Sequence, residues 1–142
     1  MNLSIENIKK SYDEKMAVDD ISFEINRGET VGILGPNGAG KTTLFYIISG
    51  LIRCDAGKLS LSGTELKNKS ISERTSMGLS YLPQEPSIFR GLSVEQNIFA
   101  ALEQRKDLNQ EEKILKLSEL LEEFNLKEFS KTLGIKLSGG ER

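Results

Sequence analysis

Gly35-Pro36-Asn37-Gly38-Ala39-Gly40-Lys41-Thr42 fits the pattern G-x-x-x-x-G-K-[ST], and the rest of the chain is read outward from it. Directly before it, Thr30 to Leu34 is a short apolar run bounded by glycine, which predicts a strand buried on both faces. Directly after it, Leu44, Phe45, Ile47, Ile48 and Leu51 cover a helix broadly from Lys41 to Leu51, with Gly50 near its end. Strand, glycine loop and helix in that order make a phosphate cradle. The glycines let the backbone curl so that several N–H groups converge on phosphate oxygens, and the helix N-terminus adds its partial positive charge. In such a loop Lys41 reaches the β- and γ-phosphates and the Thr42 hydroxyl ligates Mg²⁺. The competing reading is a glycine-rich strand-to-helix turn with an exposed Lys41.

The 142 residues suit one ordinary domain. With 19 Lys+Arg against 21 Asp+Glu the net charge is −2, and 37% hydrophobic with 28% charged residues describes a soluble globular chain. The absence of His excludes Ser-His-Asp triads, Cys-His pairs and His-ligated zinc, and one cysteine cannot form an internal disulfide. Cys54 reads as a small buried apolar residue in a reducing compartment. The longest apolar stretch, Leu44 to Ile52, falls far short of the ~20 residues that span a bilayer. The near-neutral charge gives no case for a nucleic-acid surface, and no nucleic-acid partner is expected.

Around the loop, Leu3, Ile5 and Ile8 predict an opening strand and Val18, Ile21, Phe23 and Ile25 a second, with Ser11 to Lys15 as the turn between them. Lys58 to Leu61 and Gly78 to Leu82 are further strand candidates. Ser70-Ile-Ser-Glu73 and Ser93-Val-Glu-Gln96 are capping-box patterns, and Asn109 to Glu112 can start another helix. Val94, Ile98, Ala101 and Leu102, then Ile114, Leu117, Leu121 and Phe124, form apolar stripes that read as ordinary core faces. At the far end, Leu137-Ser138-Gly139-Gly140-Glu141 reads as a helix start, with Ser138 as N-cap and Glu141 three residues on.

Taken with the phosphate loop, that last pentapeptide makes the chain resemble the ATP-binding-cassette (ABC) ATPases along its whole length. The resemblance implies an α/β P-loop NTPase fold, here incomplete: an antiparallel β subdomain, a phosphate-loop core and the start of a helical subdomain. It implies a nucleotide-binding core over about 1–88 and a helical subdomain over about 89–142. ATP and Mg²⁺ are the implied cofactors. Tyr12 stands where the family stacks an aromatic on adenine, and Gly35, Pro36, Asn37, Gly38, Ala39, Gly40, Lys41, Thr42 and Thr43 form the phosphate-binding set. Gln84 stands at the glutamine-loop position, expected to touch Mg²⁺ and the attacking water, so Lys41 and Gln84 are the implied catalytic pair. Ser138, Gly139 and Gly140 are the signature, expected to act in trans on a nucleotide held by a second ATPase subunit.

The stretch Tyr81 to Arg90, then Leu92-Ser93-Val94, is similar to the subfamily that drives lipopolysaccharide export. The branched-chain amino-acid importer type is the alternative within the family. Either implies a peripheral location on the cytoplasmic face of the inner membrane, with membrane-spanning subunits meeting Ile88, Phe89 and Arg90; the competing reading of Phe89 is a staple of the helix start against the core. A soluble cassette acting on DNA or ribosomes is the rival class; residues 43–136 contain no sustained heptads of the coiled-coil kind, which argues against the DNA-acting type and leaves the ribosome-acting type open. The family's later acidic strand end, water-polarising glutamate and histidine loop have no counterpart in residues 1–142. The chain therefore reads as a little over half of such a domain, expected to bind ATP without hydrolysing it and to leave apolar surface exposed.

Overall fold

Tyr12 pairs with Lys15 across the tight turn Asp13-Glu14, where Asp13 takes a positive φ of 51°, and this hairpin starts the fold. In the computed structural model, which describes residues 2–84 and 87–140, the turn is shorter than the sequence predicts. The strands β1 (Leu3–Tyr12) and β2 (Lys15–Ile25) run to its very edge. Their register shifts between Ile5 and Ile8, where Asn7 has φ 50° and its N–H is taken by Ser22 Oγ at 2.8 Å. Such an irregularity turns the pleat so that Ile5 and Ile8, three apart, are both buried.

Two further strands, β3 (Ala56–Leu61) and β4 (Thr64–Glu65), complete an antiparallel sheet of order β2-β1-β3-β4. The helix α1 (Lys41–Ser49) places Leu44 and Ile47 in one core with Ile5, Ile8, Val18, Leu59, Leu61 and Leu66. A short helix, α2 (Ile71–Ser76), follows, with the Ser70–Glu73 capping box formed in both directions. These elements belong to the first of two units, Met1–Leu82; the second is Pro83–Arg142.

Two predicted strands do not form. Neither Thr30 to Leu34 nor Gly78 to Leu82 enters a ladder among the described residues, and Leu34 and Leu82 are 94% and 92% exposed. A strand buried on both faces needs hydrogen-bonding neighbours on both edges and layers above and below. No other described segment pairs with either run, so the apolar pattern is present without its ladder. Only Ile33 and Leu79 of these runs reach the core, as partly buried neighbours. Cys54 likewise is half-buried rather than buried.

In the second unit, α3 (Val94–Glu103) and α4 (Gln110–Glu123) each begin with a complete capping box, Ser93 with Gln96 and Asn109 with Glu112. Val94, Leu121 and Leu137 form the core, with Ile98, Leu117, Leu126 and Phe129 packed on it. The apolar stripe of α4 is only half used: Ile114 and Phe124 are exposed, because α3 covers one narrow face. No helix begins at Ser138 among the described residues, and Glu141 lies outside them.

Candidate nucleotide-binding site

The glycine loop is shaped by positions that favour glycine. Gly38 and Gly40 have φ of 82° and 81°, in the left-handed region that costs other residues roughly 1–2 kcal/mol. At Gly40 a Cβ would stand 1.9 Å from the carbonyl oxygen of Ala17, so β2 lies directly against the loop. Ala39 N donates to Pro36 O at 3.2 Å, closing the turn through Asn37 and Gly38.

Lys41, the first residue of α1, folds back over this turn, its Nζ donating to Gly35 O at 2.8 Å and Pro36 O at 2.7 Å. The ammonium is thus held at the loop, and among the described residues it forms no ion pair with a carboxylate. Gly40 supplies no side-chain cap, so the first amides of α1, which have no intrahelical partner, open toward the loop. A helix start of this kind, next to a held cation, fits a phosphate chain. Beside it is a cavity of about 160 Å³ lined by Ala17, Val18, Asp19, Leu34, Gly40 and Lys41 among others. Thr42 is exposed on the first turn and Thr43 half-buried.

The other end of α1 is closed. Gly50, with φ 88°, donates to Tyr46 O and Ile47 O. Arg74 of α2 is buried at 4% exposure and donates from Nη1 to Ile47 O and Ile48 O, both at 2.7 Å. Its Nη2 reaches Leu66 O at 2.6 Å and its Nε Lys69 O at 3.0 Å. Burial draws this guanidinium's pKa down from its usual value, and four carbonyl partners replace the lost water. Sequence reasoning passed over Arg74, whose partners at Ile47 and Ile48 lie 27 and 26 residues away.

Tyr12 stands at the hairpin end of β1, 48% exposed, outside the lining of the loop-side cavity. Among the described residues no group of His, Cys, Asp and Glu could hold a metal by itself. Mg²⁺ keeps water and phosphate oxygens and takes only one or two protein ligands, so the donor set fits an ion that arrives with a nucleotide.

Gln84 and Ser138 to Gly140 belong to the second unit and are exposed there. In that unit Asn97 of α3 clamps the Phe89 backbone, accepting from its N–H at 2.7 Å and donating to its carbonyl at 3.0 Å. Ile135 N donates to Arg90 O at 3.0 Å. Ile88 points at Gly134, where a Cβ would come within 3.0 Å of its Cδ1, while Phe89 is 64% exposed. These hydrogen bonds hold the loop backbone while the Phe89 ring is left largely exposed.

The sequence profile of a family described as "ABC transporter" matches residues 18–142. The chain belongs to the ABC transporter family. It is 49% identical over 140 residues to the lipopolysaccharide export system ATP-binding protein LptB of Haemophilus influenzae, covering 99% of this chain and 58% of that protein. It is 48% identical over 141 residues to a probable ABC transporter ATP-binding protein of Azorhizobium caulinodans, covering 99% of this chain and 50% of the relative. A solved ATP-binding subunit of an ABC transporter superposes with a TM-score of 0.83 at 28% identity, covering 99% of this chain and 57% of that one. The chain thus spans between half and three-fifths of the length of these relatives, and its α/β architecture is that of part of a P-loop NTPase domain. No helix among the described residues is long and apolar enough to cross a membrane.

Proposed function

We propose that this chain is the nucleotide-binding part of an ATPase subunit that powers lipopolysaccharide export across the bacterial inner membrane. The observation that carries the reading is the 49% identity to LptB over almost the whole chain. Gly35 to Thr43 hold the triphosphate of ATP, with Lys41 on the β- and γ-phosphates and Thr42 on Mg²⁺. Tyr12 stacks on adenine; Gln84 meets the metal and the attacking water. Ser138, Gly139 and Gly140 complete the site of a second ATPase subunit. Residues 1–142 bind nucleotide without turning it over, because they hold no histidine and no water-polarising carboxylate after the signature.

Membrane-spanning subunits dock near Ile88, Phe89 and Arg90, on the cytoplasmic face of the membrane. The exposed Phe89 ring on its Asn97-clamped backbone supports that assignment, since preorganised aromatics and arginines are frequent interface anchors. Conditional depletion of the protein in its source organism tests the function: newly made lipopolysaccharide should stay in the inner membrane. Normal arrival at the outer membrane would contradict the export reading. In the assembled transporter, Phe89→Ala should lower recovery of the membrane subunits while leaving ATP affinity within about twofold. Normal co-purification with a lowered melting temperature would reject the docking assignment.

A further inference from the structure

Strand β1 outruns its neighbour. The last pair between β1 and β3 is Lys9 with Ala56, so Lys10, Ser11 and Tyr12 project past β3 with no ladder on that edge. The side chain of Asp55, the residue just before β3, takes the place of the missing strand. Its Oδ2 accepts from Ser11 N at 2.7 Å and its Oδ1 from Lys10 Nζ at 2.6 Å, while its own N–H donates to Lys9 O at 2.9 Å. The same Lys10 ammonium stands 5.5 Å from the centroid of the Tyr12 ring. One carboxylate therefore fixes the backbone beside Tyr12 and aims a cation at its ring.

We propose that Asp55 and Lys10 are positioning residues for the aromatic that receives the nucleotide base. This rests on the reading of Tyr12 given above. An exposed tyrosine at a hairpin end samples several rotamers, and each must be given up on stacking. A cation held over the ring restricts that motion before a ligand arrives and leaves ring surface open, with Tyr12 48% exposed. The pair persists as ions at neutral pH: the hydrogen bond to Lys10 holds the Asp55 carboxyl below its ordinary value, and the same bond raises Lys10. The Lys10 side chain is 18% exposed and that of Asp55 48%, so the pair lies at the surface with the lysine stem packed down.

The test compares Mg-ATP with inorganic triphosphate, which has no base to stack, in calorimetric titrations of the wild type, Tyr12→Ala, Asp55→Asn and the double variant. Tyr12→Ala should weaken ATP binding about fivefold, the scale of one aromatic contact, and leave triphosphate binding unchanged. Asp55→Asn should weaken ATP binding about two- to threefold, leave triphosphate unchanged, and add nothing once Tyr12 is gone. If Asp55→Asn lowers the melting temperature, Lys10→Met, which keeps the stem and removes the ammonium, should give the same pattern. Wild-type ATP affinity in Tyr12→Ala would remove the base-stacking reading and this proposal with it. A weakened Tyr12→Ala beside an unaffected Asp55→Asn would overturn the positioning role alone. So would losses that add in the double variant, or an equal loss of triphosphate binding.

Discussion

At the C-terminal end of α1 the last carbonyls are taken by Gly50, Leu51 and the buried Arg74 guanidinium, whereas at the N-terminal end Gly40 brings no cap and Lys41 bends back onto the loop. One helix thus has an end finished by protein and an end left to an anion. The closed end ties α1 to α2 and to Leu66, so its groups act on stability. The open end carries uncapped amides and a held cation, so its groups act on binding.

The largest effect should come from breaking the closed end. Arg74→Met removes a donor from the carbonyls of Ile47, Ile48, Leu66 and Lys69, of which Ile47 O keeps the Gly50 N–H and Leu66 O the Lys69 N–H. With about 1–3 kcal/mol for each buried group left unpaired, a net loss of about 4 kcal/mol in stability is expected. Urea unfolding measures it, and a loss under about 1 kcal/mol would mean that water replaces the guanidinium at no cost. Gly40→Ala comes next, at about 3 kcal/mol, because its methyl would meet Ala17 O at 1.9 Å in a left-handed backbone. It should also weaken nucleotide binding, since relief of the clash moves the loop off β2.

The smallest effect is pH-dependent and also belongs to the closed end. Chiefly through the Ser70 backbone N–H, the α2 capping box holds Glu73 down from 4.5 to about 2. A carboxylate with a lowered native pKa contributes stability above its unfolded value and loses it as pH falls through the native one. The melting-temperature difference between wild type and Glu73→Gln should therefore be constant above about pH 5 and close as pH falls toward 2. A difference that persists at pH 2 would remove the carboxylate from the account.

What the sequence made legible follows the reach of each interaction. The glycine loop, α1, the capping boxes at Ser70 and Ser93 and the helix start at Asn109 were readable because their partners lie within a few residues, as Ser93 and Gln96 do. The β1–β2 hairpin was readable from its alternation, although its turn proved tighter, with Tyr12 already paired to Lys15. Thr30 to Leu34 and Gly78 to Leu82 carry strand composition, but a ladder depends on neighbours that no local pattern supplies. Arg74, Asp55 and Asn97 were invisible for a related reason. Arg74 meets Ile47 across 27 residues and Asp55 meets Lys10 across 45, while Asn97 acts on the backbone of Phe89, which carries no sequence signal.

The open end of α1 as a triphosphate site is the claim on which the rest depends, and calorimetric titration of Mg-ATP into wild type and Lys41→Ala tests it most directly. Removing the ammonium that Gly35 O and Pro36 O hold at the loop deletes a charge-assisted phosphate contact. Affinity should fall by about 10- to 100-fold, with the melting temperature of the free protein unchanged within error. Equal affinities for the two proteins would contradict the account and remove the glycine loop as the nucleotide site.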